Sequence, residues 1–208
     1  MSKVAITGNA SGTGVFTVAS PNSNVDRVLT LPDESGTVLT TTTILTPSAT
    51  NTSITLGTAV ATTSGTSIDF TGIPAGVKRV TVMFNGVSTN GANDYLVQLG
   101  ISTGVVATGY LSTTGRNSNG VAVATTSSTA GFVTASGDAS FTASGHMMLT
   151  LVGGNIWISS HSGKVNNVQL VNGGGSLSLG GVLDRIRLTM IGGTDSFDAG
   201  SVNISWEF

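Results

Sequence analysis

Cysteine is absent from the 208 residues, which excludes disulfides and thiolate chemistry. Charge is scarce: Asp, Glu, Lys and Arg make up 9% of the chain, where soluble domains carry about 25%. Glu, Lys and Gln together number seven. These straight-chain residues clothe the wet face of a helix, so their scarcity argues against helix bundles, coiled coils and doubly wound α/β enzymes. Eight basic residues stand against ten acidic ones, for a net charge of −2. They are spread thinly, and no basic patch for nucleic acid is visible. No apolar run approaches the ~18 residues of a membrane helix, so no membrane insertion is expected. The start, Met1-Ser2-Lys3-Val4-Ala5-Ile6, lacks the apolar region of a secretory signal.

What remains is hydroxyl and glycine. The chain holds 32 Thr, 26 Ser and 29 Gly, a composition suited to short strands and tight turns. Mean hydropathy is +0.31, too apolar for charge-driven disorder. A surface with so little charge is either hydroxyl and amide or covered by other copies.

Alternation with a period of two marks the strands. Val80, Val82 and Phe84 share one face, opposite Arg79, Thr81, Met83 and Asn85. Ile186, Leu188 and Met190 lie opposite Arg185, Arg187 and Thr189. Val202, Ile204 and Trp206 lie opposite Asn203, Ser205 and Glu207. One dry and one wet face is the pattern of antiparallel sheets. Further strands are expected at 95–101, 105–111, 165–171 and 176–179. Corners are expected at Asn85-Gly86, Asn90-Gly91, Gly153-Gly154-Asn155, Asn172-Gly173-Gly174-Gly175 and Gly192-Gly193. The spacing predicts an all-β protein whose antiparallel β-sandwich head is jelly-roll-like.

The first residues read differently. Short strands are expected at 15–19, 27–31 and 37–40, with turns at Pro21-Asn22 and Pro32-Asp33-Glu34-Ser35-Gly36. They hold too few apolar residues for a core and need copies of themselves or a scaffold. Residues 41–48 read as an extended linker. The expected domains are 1–46, a stalk or attachment segment of intertwined short strands, and 47–208, the sandwich head.

Catalytic signals are weak. Gly100-Ile101-Ser102-Thr103-Gly104 fits the nucleophile-elbow pattern, but a strand pattern rather than a helix follows the serine. It reads as a hairpin turn, and no enzyme is expected. His146 and His161 cannot make a zinc site without further ligands. Asp195 and Asp198 share a loop that reads as an Asx-type turn, with calcium as the alternative. No metal or cofactor is assigned. Phe84 and Trp206 read as core, and Trp157 as either packed or exposed for stacking.

Three phrases carry a family resemblance. They are Leu29-Thr30-Leu31-Pro32-Asp33-Glu34-Ser35-Gly36-Thr37-Val38-Leu39, Gly72-Ile73-Pro74-Ala75-Gly76-Val77-Lys78-Arg79-Val80, and Gly193-Thr194-Asp195-Ser196-Phe197-Asp198-Ala199-Gly200. Together with Gly12-Thr13-Gly14-Val15-Phe16-Thr17-Val18 they resemble bacteriophage tail-fibre and related virion-fibre proteins. The resemblance implies a homotrimer located on the virion. The chain is short for a tail fibre, which suits a fibre tip, a short fibre or a capsid fibre.

The function expected is that of a virion fibre whose head binds host-surface glycan without cleaving it. The N-terminal segment would join it to other virion proteins. The alternative is a capsid head fibre or a cement protein that stabilises the particle. Receptor contacts are expected on two loops, 90–94 and 115–119, rich in amide and hydroxyl donors. The candidates are Asn93, Tyr95, Tyr110, Arg116, Asn117 and Asn119, with the tyrosines offering stacking faces.

Overall fold

A computed structural model describes residues 11–15, 17, 24–26, 28, 54–118, 121–134, 138–167 and 169–208. The chain divides into two units, Met1–Leu45 and Thr46–Phe208. The stalk strands and linker expected before residue 50 fall almost entirely outside the described residues, as does Asn119.

The second unit is an antiparallel sandwich, and none of its described residues is helical. Among the described residues fourteen strands follow in order. They are β1 (Thr55–Leu56), β2 (Val60–Ala61), β3 (Ile68–Thr71), β4 (Arg79–Thr89), β5 (Tyr95–Ile101), β6 (Gly104–Val105), β7 (Leu111–Ser118) and β8 (Val121–Ser128). After these come β9 (Phe132–Thr134), β10 (Ala143–Gly153), β11 (Ile156–Val165), β12 (Gln169–Ser178), β13 (Arg185–Met190) and β14 (Phe197–Glu207). The larger sheet runs β1-β14-β4-β10-β11-β12-β7-β8, with β2 also on β14; the smaller runs β3-β13-β5-β6, with β9 also on β5. The two ends of the unit are thereby tied together, because β14 pairs with β1, β2 and β4 while β13 pairs with β3 and β5.

The alternation read from the sequence sets the faces. Val80, Val82 and Phe84 of β4 turn inward, as do Ile186, Leu188 and Met190 of β13 and Val202 and Ile204 of β14. They pack with Val97, Leu99, Leu149, Met147 and Trp157 in one core. Each such buried side chain contributes roughly 1.5–3 kcal/mol relative to exposure. Trp157 is therefore core.

Several local expectations are corrected. Asn85-Gly86 is not a corner but a bulge inside β4, where the register shifts against β10 and β14. Gly86 has φ +62 and Gly200, opposite, has φ +94; a Cβ at Gly200 would run into the Gly86 carbonyl. Residues 105–111 do not form one strand: β6 ends at Val105, and the chain crosses to the larger sheet through Tyr110. Residues 165–171 span a turn at Asn166-Asn167 rather than a strand.

The triple glycine at 173–175 is no corner either, since β12 runs straight through it. Its role is close approach. A Cβ at Gly173 would strike the Thr113 carbonyl and lie 2.6 Å from His161 Cε1, and one at Gly175 would come within 3.0 Å of Phe132 Cδ1. Glycine here lets β9 and the His161 ring settle onto the sheet.

Candidate functional site

The structure does not bring the sequence-predicted contact residues together on exposed loops. Tyr95 and Tyr110 are both fully buried and present no stacking face. The Tyr95 hydroxyl donates to the Val87 carbonyl at 3.1 Å. The Tyr110 hydroxyl donates to the Val106 carbonyl at 3.0 Å and accepts from the Leu99 amide at 2.6 Å. Burial raises the Tyr110 phenol well above its usual range. A tyrosine in an amphipathic context satisfies its hydroxyl inside a sandwich as readily as outside, so flanking position alone misled.

The 115–119 segment is not a loop through residue 118: Arg116 and Asn117 lie in β7. Arg116 faces the same side as Ser112 and Thr114 and is half-buried, while Asn117 is exposed on the other side. The 90–94 segment is a loop, but its amides are committed. Asp195 Oδ2 accepts from the Asn93 backbone N–H at 3.0 Å and from its Nδ2 at 2.9 Å. The Ser196 amide donates to Asn90 Oδ1 at 2.9 Å. Asp195 thus clamps one loop to another instead of closing an Asx turn within its own. Gly91 is required there, because a Cβ would overlap the Asp195 carboxylate.

The elbow-like Ser102 sits in the tight turn between β5 and β6, as a hairpin requires. His146 lies in β10 and His161 in β11. Among the described residues, no three His, Asp or Glu side chains converge on a metal position.

Two other features stand out, and neither was singled out by the sequence. The first is the outer face of the larger sheet. Register aligns Ser205, Thr81, Met148, Ser160, Gly174, Thr113 and Ser127 in one row across seven strands. The row carries no charge. Beside it Leu111, Val152, Ile156 and Ile158 are exposed at 71, 64, 44 and 44%. Charge is confined to the margins: an Arg79–Glu207 pair at 3.5 Å on one side, and Lys164 toward the other end of β11. A groove of about 450 Å³ lined by Leu111, Ser112, Thr113, Ser127, Ser128 and Thr129 borders this face.

The second is a cleft of about 260 Å³ between the sheet edges, lined by Phe70 and Asp69 of β3, Trp206 of β14, and Gly57, Thr58 and Gly72 of neighbouring turns. Gly57 is fixed to β14 by its amide, which donates to the Ile204 carbonyl at 2.8 Å, and by Asn203 Nδ2, which donates to the Gly57 carbonyl at 3.1 Å. On the outward face of β3 and β13, opposite Phe70 and Ile186, Arg187 grips Asp69 with two bonds of 2.7 Å. These bonds hold the Asp69 carboxyl below its usual range, burial opposing them, and they raise the Arg187 guanidinium. The carboxylate is ionised at neutral pH and keeps lone pairs directed away from the arginine. Trp206, expected as core, is partly buried and packs against the core cluster from the end of β14.

No family model matches the sequence, and no curated protein and no solved structure matches it either.

Proposed function

We propose that the chain is a structural fibre protein of a bacteriophage virion, a tail fibre or fibre tip. It assembles as a homotrimer, joins other virion proteins through residues 1–46, and uses its 47–208 head to hold host-surface glycan without cleaving it. The observation that carries this reading is the uncharged outer face of the larger sheet. Interface centres are depleted of charge and keep charge at the rim, and a face without charge meets its own copy without repulsion. The resemblance of the N-terminal phrases to virion fibres supplies the setting.

The edge cleft supports binding without hydrolysis. Glycoside cleavage uses two carboxyl groups, one of them protonated. Asp69 is the one acidic residue bordering the cleft, and both of its carboxylate oxygens are engaged by Arg187. The same uncharged face also suits a cement protein seated on capsomers, the rival reading.

Light scattering of the purified chain together with mass spectrometry of purified virions tests the proposal. Three copies per particle in solution and presence in tails are expected. A stable monomer, or absence from virions, overturns it; location on capsids alone favours the cement reading.

A further inference from the structure

We propose that the inside of the sandwich is a binding site for one ordered water, held between His161 Nδ1 of β11 and Thr134 Oγ1 of β9, and that the His161 ring carries its hydrogen on Nε2.

The Thr114 hydroxyl fixes the tautomer. Its oxygen lies 2.9 Å from His161 Nε2 and donates to the Asn172 carbonyl at 3.4 Å. A carbonyl oxygen can only accept. Both contacts are hydrogen bonds only if the hydroxyl hydrogen goes to that carbonyl, so Thr114 accepts from the ring. Nε2 therefore bears the hydrogen, and Nδ1 is a bare acceptor. His161 is 7% exposed, and Nδ1 meets no donor within the protein. Buried acceptors are as a rule satisfied, because leaving one unmet is costly.

Room for a donor lies beside the ring, in a cavity of about 20 Å³ that His161 lines. Register accounts for it. Gly145 of β10 stands opposite Gly163 of β11. Alternation places both on the inward side, next in line after the buried Met147 and His161. Two facing glycines leave this stretch of the inner face without side chains, and Phe84, Tyr95, Val165 and Val171 wall the gap. A water needs roughly 10–15 Å³, so the cavity admits one water and no larger ligand. Thr114 does not border it. With Nε2 turned to Thr114, Nδ1 is the ring nitrogen left to serve the cavity.

A buried water also needs at least two polar partners, and Thr134 supplies the second. It pairs with Tyr95 and lies two residues beyond the fully buried Phe132, so alternation turns it inward. It lines the same cavity. The water donates one hydrogen to Nδ1 and the other to Thr134 Oγ1. It thereby ties β9 of the smaller sheet to β11 of the larger.

The test uses the full chain labelled with nitrogen-15 histidine. Long-range proton–nitrogen correlations at neutral pH should show His161 protonated at Nε2 and bare at Nδ1. Oxygen-17 relaxation dispersion of the solvent counts long-lived internal waters. Thr134→Val and His161→Phe should each lose one water from the native count, and Thr113→Val, on the outer face, should lose none. Thr134→Val keeps the side-chain shape and carries the test if His161→Phe folds poorly. A hydrogen found on Nδ1 overturns the proposal, and so does a native water count in either folded variant.

Discussion

Thr114 Oγ1 lies 2.9 Å from His161 Nε2, and both residues are buried between the sheets. The other ring nitrogen, Nδ1, has no partner. Burial pushes the His161 pKa down to about 4, so the ring is neutral in the folded protein under ordinary conditions.

Acid should therefore unfold the head through His161. The unfolded ring titrates near 6.5 and the folded ring near 4. Between those values the unfolded state binds more protons, so stability rises with pH across the window. It is complete above about pH 6.5 and falls by about 3 kcal/mol as pH drops toward 4. Urea midpoints measured at pH 7, 6, 5 and 4 check this. In His161→Leu the decline over that window should flatten.

Gly173 is expected to tolerate no side chain. Gly173→Ala must displace both the Thr113 carbonyl and the His161 ring, and overpacking of this kind costs about 1–3 kcal/mol. Gly180→Ala is the control, since a Cβ there meets nothing within 4 Å. Equal urea midpoints for the two variants would contradict the close approach.

The contrast shows what was legible in the sequence. Period-two alternation at Val80–Phe84, Ile186–Met190 and Val202–Ile204 identified inward faces, because one-sided burial repeats every second residue. Glycine carries two messages that look alike in sequence: a backbone that must turn, and a backbone that something else must approach. Gly192 and Gly193 turn, with φ of +79 and +63. Gly173 to Gly175 are approached. The partners that distinguish them lie far along the chain: His161 arrives by strand pairing with Gly173, and Phe132 by packing of the smaller sheet onto the larger. The edge cleft was hidden for the same reason. Asp69 and Arg187 are separated by 118 positions and meet only because β3 pairs with β13.

Tyr110 is expected to act on stability. Tyr110→Phe removes the acceptor of the buried Leu99 N–H and the donor to Val106. A buried donor left unpaired costs about 1–3 kcal/mol. Chemical denaturation should show that loss, and any adsorption defect in a Tyr110→Ala particle should track with loss of folded protein. A variant with unchanged stability would contradict the hydrogen bonds described.

The outer face decides how the chain meets its neighbours. Ser160 lies at the middle of the uncharged row and Ile158 is one pleat along on the same face. A carboxylate at either position touches no core residue, so Ser160→Glu and Ile158→Glu should keep the fold and its circular dichroism. If copies pack through this face, three like charges are brought together and desolvated, at a cost of several kcal/mol. Light scattering should then show the monomer mass. Trp206→Leu, on the far edge, should stay trimeric. In the cement reading the same substitutions leave the free chain's mass unchanged, and they lower the temperature at which particles release their contents. A trimer that persists in both glutamate variants would move the copy interface elsewhere, leaving the first 46 residues as the segment that holds the three chains together.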